Sequence, residues 1–257
     1  MRQHISKGNK MKTRQLLAAA ILAAFSVAAT AGPTSPTTFD FSNLKYNGGN
    51  ASFLPNEVLN TGYWRCTGGD LCSSNIDAKT ALGGDLKYTL NGITATATAT
   101  YNGAVATVMQ DHEDAYNPSK YIGAGLGVYH KTGDTSDDNV TFGETLKLTF
   151  SKVVTLSGIS LRSDGHNTTF DANSTFVLNG TTKLKLSHDI GNLSMTGKVF
   201  TFSFDNSLRA NSTKLSGDQF YLGGVTVSAV PEPETYAMML AGLGLLGFAA
   251  RRRKPVA

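Results

Sequence analysis

The chain has 257 residues, 40% of them apolar, 9% aromatic and only 16% charged, with 27 Gly and 30 Thr. Sparse charge beside abundant Gly, Thr, Ser and Asn excludes helical bundles and coiled coils, and the aromatic content excludes a disordered chain. The net charge of +4 resides in the two ends: residues 32–230 hold 14 basic against 17 acidic side chains, scattered without a basic run, which argues against a nucleic-acid partner.

The first element is a targeting segment. Lys12 and Arg14 precede an apolar run from Leu16 to Ala29, and Ala29-Thr30-Ala31 closes it with small residues. That layout predicts a secretory signal peptide over residues 1–31, helical in its apolar part and cut after Ala31, since the run is shorter than the roughly 20 residues a spanning helix needs. Residues 1–10 either lengthen its basic start or precede the true initiator at Met11.

Next come the two cysteines, Cys66 and Cys72, which flank Gly68-Gly69. In an exported chain this close pair reads as a structural disulfide, worth roughly 2 kcal/mol in the chain-entropy model. Metal ligation or redox catalysis would need further partners or a C-x-x-C spacing.

From Phe39 onward apolar residues recur at every second position. The cleanest stretch is residues 93–101, where Ile93, Ala95, Ala97, Ala99 and Tyr101 face one side and four threonines the other. Thr propensity for strands accounts for the row without a ligand. Strands are expected also at 39–44, 145–150, 154–161, 199–204 and 220–227, with a hairpin at 175–186 turning on Asn179-Gly180. About ten short strands with Gly, Asn and Asp turns predict an all-β domain over residues 32–229, an antiparallel β-sandwich of jelly-roll type.

Three sets of side chains are candidates for chemistry. Asp111-His112-Glu113-Asp114 carries acid/base and metal-ligating types, but neighbours on a strand alternate faces and no third ligand is visible, so a surface turn is the expectation. The loop at 133–139 places Asp134, Asp137, Asp138 and Asn139 within six positions, a possible calcium site with help from Glu144 or carbonyls, or a solvated acidic loop. His130, His166 and His188 stand isolated, and no G-x-S-x-G, H-E-x-x-H or phosphate loop occurs, so no enzyme and no resident cofactor other than calcium is expected.

The chain ends in three signals. Pro231-Glu232-Pro233 stops the last strand, residues 235–250 are apolar, and Arg251, Arg252, Arg253 and Lys254 close the segment. As a helix the apolar part rises about 24 Å, slightly short of the hydrocarbon core. Residues 230–254 closely resemble the PEP-CTERM sorting signal of exported proteins in exopolysaccharide-producing Gram-negative bacteria, a tail also labelled an ice-binding-protein C-terminal segment. The resemblance implies that an exosortase, a membrane-embedded cysteine protease and transpeptidase, is the processing partner and that this chain is its substrate. It covers only the tail and implies nothing about the domain before it.

The resulting expectation is a non-enzymatic exported protein. It passes through an inner-membrane intermediate held by a transmembrane tail helix, reaches the cell surface or matrix, and associates there with exopolysaccharide or biofilm. Two rivals are a tail-anchored periplasmic domain and a carbohydrate-binding module, the latter requiring Tyr101, Tyr116, Tyr121 and Tyr129 to line one concave face. An enzyme would require acidic residues from distant positions to converge in a pocket.

Overall fold

The computed structural model describes residues 35–47, 50–52, 58–59, 64–65, 70–76, 82–112, 123–130, 138–209 and 219–252. The signal peptide with Ala29 and Ala31, and with it the expected N-terminal helix, lies outside them, as do Cys66, Asp134, Asp137, Arg253 and Lys254.

Among the described residues sixteen strands and one α-helix follow in order: β1 Thr37–Asp40, β2 Lys45–Asn47, β3 Asn50–Ser52, β4 Val58–Leu59, β5 Trp64–Arg65, β6 Leu71–Cys72, β7 Leu86–Leu90, β8 Ile93–Tyr101, β9 Ala104–Asp111, β10 Gly125–Tyr129, β11 Glu144–Ser163, β12 Thr175–Leu178, β13 Thr182–Lys185, β14 Asp189–Ile190, β15 Met195–Phe204, β16 Phe220–Ala229 and helix α1 Pro233–Arg251. Period-2 alternation produces these strands. In β8 the residues Ile93, Ala95 and Ala97 are buried and the threonines take the opposite face.

 Ala99 completes the inward set, and Thr94, Thr96, Thr98 and Thr100 point outward. Hydroxyl pairs join neighbouring strands on the outer faces, among them Thr89 with Thr94 and Thr145 with Ser203, each at 2.9 Å.

Antiparallel pairing assembles fourteen strands into one sheet, with β2 and β3 forming a separate two-stranded ribbon. The sheet closes on itself: β8 pairs with β9, β9 with β10, β10 with β16, β16 with β11, and β11 again with β8. The fold is therefore all-β with barrel-like closure, where the sequence pattern led us to expect two separate sheets of a jelly roll. The reason is β11. Two strands were expected at 145–150 and 154–161, but one twenty-residue strand runs through both, with a register shift between Thr149 and Val154. Its first half pairs with β8 and its second half with β16, so it carries the sheet from one face of the core to the other.

The enclosed core is aromatic and aliphatic. Phe39, Phe41, Phe150, Phe176, Phe200 and Phe202 are at most 2% exposed and pack with the leucines of β11. Polar groups inside are paired: Tyr88 donates to Gln110 Oε1 at 2.8 Å, and Gln110 Nε2 donates to the Phe41 carbonyl at 2.8 Å. A second, smaller cluster of Cys72, Ile76, Met109 and Tyr129 lies on the opposite face of β9 and β10. Residues 70–76 and 82–84 cover that face, held by Ser73, whose hydroxyl accepts from Val108 N at 3.0 Å and donates to the Gly83 carbonyl. This cover is why β9 and β10 are buried on both sides.

Glycine matters most at Gly127 in β10. A Cβ there would lie 1.6 Å from the Asp138 carbonyl oxygen, because the chain at 138–140 runs directly against this strand. At Gly180 the constraint is instead the backbone, with φ of 74° and open space around a Cβ. Gly127→Ala is expected to cost about 1–3 kcal/mol through displacement of the Asp138 segment. Gly180→Ala is expected to cost about 1 kcal/mol through its φ alone. Chemical denaturation of the two variants measures the difference, and equal losses would contradict the close approach.

Candidate functional site

Two places carry functional chemistry: a cluster of acids and histidines at one end of β9, and the tail.

The cluster is built from four separate stretches. β9 ends at Asp111 and is followed by His112; residues 70–76 begin with Asp70; Gly127 admits Asp138; and a 3-10 turn, Asp164–His166, follows β11. In that turn Gly165 and His166 both have positive φ, 74° and 63°, which swings the His166 ring back toward the sheet. One oxygen from each of Asp70, Asp111 and Asp138 lies within 4.8 Å of the others. Asp70 and Asp111 are 7% and 6% exposed.

Each acid has a partner. Asp70 accepts from the backbone N–H of His112 at 3.1 Å and pairs with the same residue's Nδ1. Asp111 accepts from Ala124 N at 3.3 Å and faces His166 Nε2 at 3.4 Å. Tyr221 donates its hydroxyl proton to Asp138 at 2.6 Å. Withdrawal from water pushes the Asp138 carboxyl up to about 7, with the charges of Asp111 and Asp70 adding to the rise against the Tyr221 hydrogen bond. Burial also raises Asp70, and the hydrogen bond to Asp70 raises His112. Burial, then the neighbouring Asp138, hold the Tyr221 proton in place far into the alkaline range. Three negative charges this close repel strongly at low effective dielectric, so protons and histidines offset them.

At Asp111 and His112 this overturns the reading of a surface turn lacking further ligands. Asp111 is buried and His112 partly so, and Asp70 and Asp138 supply the partners that were not visible. Nor are the histidines isolated, since His130 Nδ1 meets Glu144 Oε1 at 2.8 Å and His188 Nδ1 meets the Leu161 carbonyl at 2.8 Å. Glu144 is 1% exposed and also accepts from Thr141 N at 2.8 Å, so it is already engaged and is not a free ligand for the acidic loop. Glu113 and Asp114 lie outside the described residues. The three clustered carboxylates are close enough to share one cation, although three oxygens fall short of the six to eight that calcium takes.

Cys72 is fully buried and disulfide-bonded, and it sits beside Asp70 at the start of the covering segment. Of the four tyrosines proposed for a sugar-binding face, Tyr129 is 1% exposed and packs in the smaller cluster, so the face as specified does not form. Tyr101 stacks on His130 at 3.7 Å, and Tyr116 and Tyr121 lie outside the described residues.

In the tail, Ala229 ends β16 and Pro233 begins α1, so Val230, Pro231 and Glu232 alone separate strand from helix. Pro233 suits the first helical position because its missing N–H has no acceptor there, and Glu234 in the first turn and Arg251 in the last complement the helix dipole. Beyond that turn the helix is apolar all round, with Met238, Leu240, Leu243, Leu245, Leu246 and Phe248 each more than half exposed. Arg252 lies over the Phe248 ring at 4.7 Å. No helix among the described residues is long and apolar enough to cross a membrane, contrary to the spanning helix expected for the tail. Pro233, Glu234 and Thr235 occupy the first turn of α1 and shorten its apolar length.

Residues 229–254 match the family described as the PEP-CTERM protein-sorting motif. The chain thus carries a sorting signal, which implies an exported protein processed by exosortase. No curated protein and no solved structure matches the chain.

Stability should respond to pH through the cluster with one sign. Asp138, Asp70 and His112 all have folded pKa values above their ordinary ones, so the stability they confer is complete at low pH and is lost as pH rises through those values. For Asp138 the window runs from 3.8 to about 7. The expected loss across it is on the order of 2 kcal/mol, reduced from the full shift because part of the carboxyl meets water. Asp138→Asn should flatten the profile while still accepting the Tyr221 hydrogen bond, as read from denaturation midpoints at pH 4 to 8. A variant profile as steep as the parent's would show that Asp138 is not the group responsible.

Proposed function

We propose that this is a non-enzymatic exported protein whose tail is removed by an exosortase and whose β-domain is delivered to the cell surface or extracellular matrix, in association with exopolysaccharide or biofilm. The observation that carries the reading is the match of residues 229–254 to the sorting motif, together with its placement directly after a complete strand. Val230 N donates to the Val153 carbonyl at 2.9 Å, so a cut at Pro231 to Pro233 leaves the sheet whole. The N-terminal signal at 1–31 starts export, and Arg251 to Lys254 retain the far end on the cytoplasmic side while the enzyme acts. The helix engages the membrane as a transient substrate segment.

The convergence of Asp70, Asp111 and Asp138 is the feature an enzyme would share. A catalytic acid must reach its substrate, however, and Asp70 and Asp111 are nearly closed to solvent with their oxygens engaged by protein groups. We assign the cluster a structural role.

The test is intact-mass and C-terminal peptide analysis of the protein from cell envelope and medium, in strains with and without an exosortase. Loss of everything beyond Pro231 to Pro233 only in the exosortase-bearing strain is the expected outcome. An intact Arg251 to Lys254 end in both strains would establish a tail-anchored periplasmic domain instead.

A further inference from the structure

The outer face of the sheet is hollow where β1, β16, β11 and β14 lie side by side. The register sets out what lines it. Asp40 is opposite Gly224, Gly224 is opposite Ser160, and Ser160 is opposite Asp189, one row across four strands. The next row places Thr38 opposite Thr226 and Thr226 opposite Gly158. Glycine at 224 interrupts the first row and glycine at 158 ends the second, which removes a side chain from each, and the groove has a volume of about 410 Å³. That is within the range of small-molecule sites, roughly 300–1,000 Å³.

Arg162, two residues beyond Ser160 on β11, also lines the groove and is 8% exposed. Its Nη1 donates to the His166 carbonyl at 3.2 Å. Its Nε is the buried side-chain nitrogen or oxygen left without a hydrogen-bond partner among the described residues. A buried donor without an acceptor is destabilising, so a shift of the guanidinium that brings Nε to a ligand oxygen is favoured.

Charge decides which ligand class fits. Asp40 and Asp189 both act on Arg162 from the groove walls, Asp40 while accepting from Ser42 N at 3.1 Å, Ser42 Oγ at 2.7 Å and Asn43 Nδ2. Two carboxylates against one guanidinium disfavour an anion. The remaining groups form a mixed set: carboxylate acceptors, the Arg162 donor, and the hydroxyls of Thr38, Ser42, Ser160 and Thr226. His188 lines the groove as well, its Nδ1 on the Leu161 carbonyl and its Nε2 3.9 Å from Asp189. Neighbouring hydroxyls of a sugar can donate to a carboxylate and accept from a guanidinium at once, and Ile190 with the glycine backbone offers a flat apolar contact.

We propose that this groove is a binding site for a neutral saccharide, with Arg162 as its central donor and the exposed Asp189 as its carboxylate acceptor. The inference is independent of the sorting reading, because it concerns the β-domain whether or not the tail is removed.

The test is calorimetric titration of the full-length protein in mild detergent with maltotriose, cellotriose, mannotriose and xylotriose, beside trigalacturonate as the anionic arm. At least one neutral trisaccharide is expected to bind, and Arg162→Met to weaken it by about tenfold or more. Two variants guard against a folding defect. Asp189 has an 82% exposed side chain, and a Cβ at Gly191 meets nothing within 4 Å, so Asp189→Asn and Gly191→Phe are expected to keep the fold. Asp189→Asn should weaken binding and Gly191→Phe should block it. Failure of every neutral probe, binding untouched by Gly191→Phe, or tighter binding of trigalacturonate would each overturn the proposal.

Discussion

One strand sets the geometry of the domain. β11 is twenty residues long and is paired on both sides along most of its length, with β8 and β15 at its start and with β16, β15 and β14 beyond its bend. Leu146, Leu148 and Phe150 point inward before the bend, and Val154, Leu156, Ile159 and Leu161 do so after it. Between them Ser151, Lys152 and Val153 are all exposed, a break in the alternation that lets the strand turn without losing its inward face. Closure of the sheet removes edges that would otherwise invite pairing with other chains. Further register shifts against β16 occur near Gly158 and between Ser160 and Leu161, and the outer groove opens at these places.

The same closure creates the problem that the acid cluster resolves. β9 and β10 cannot face water on their outer side once Cys72, Ile76 and Leu82 cover Met109 and Tyr129, and the cover brings Asp70 down on Asp111. Burying charge is tolerated only where partners are supplied, and here they come from four stretches of chain: His112, His166, Tyr221 and the Ala124 amide. Elsewhere Asp205 shows the opposite balance. Burial pushes its carboxyl up, but hydrogen bonds from Thr175, Ser207 and Lys183 outweigh it and hold the group well below the usual range. Asp138 has fewer donors and a crowd of like charges, so it stays protonated to higher pH.

What could be read in the sequence was local. The strand at Ile93–Tyr101 has the expected limits because alanine and threonine alternate over nine residues, and Asn179 and Gly180 adopt the positive φ that the dipeptide favours. Asn91-Gly92 and Asn102-Gly103 make the same kind of turn, and this signal was present in the sequence but went unread. Long-range pairing was not legible. Nothing in alternation says that β8 will meet β11 some fifty residues later, and the closed topology follows from that pairing alone. The cluster was hidden for the same reason, since Asp70, Asp111 and Asp138 become neighbours only through β6, β9 and β10. Tyr129 deceived in a different way: an aromatic on the outer face of a strand reads as exposed until a covering segment is known.

The tail is governed by the strand before it. β16, the strand the sorting signal follows, is flanked by β11 on one side and by β1 and β10 on the other. Its final residues are therefore held by hydrogen bonds that do not depend on anything downstream, and Val230 extends them by one more. The helix that follows has no polar face, so its large apolar side chains need lipid or a binding partner to leave water. A domain fixed up to Val230 and a helix that water does not favour meet across three residues, two of which belong to the Pro-Glu-Pro motif. On the proposed reading, cleavage there separates the β-domain from the apolar helix without breaking any pairing of β16.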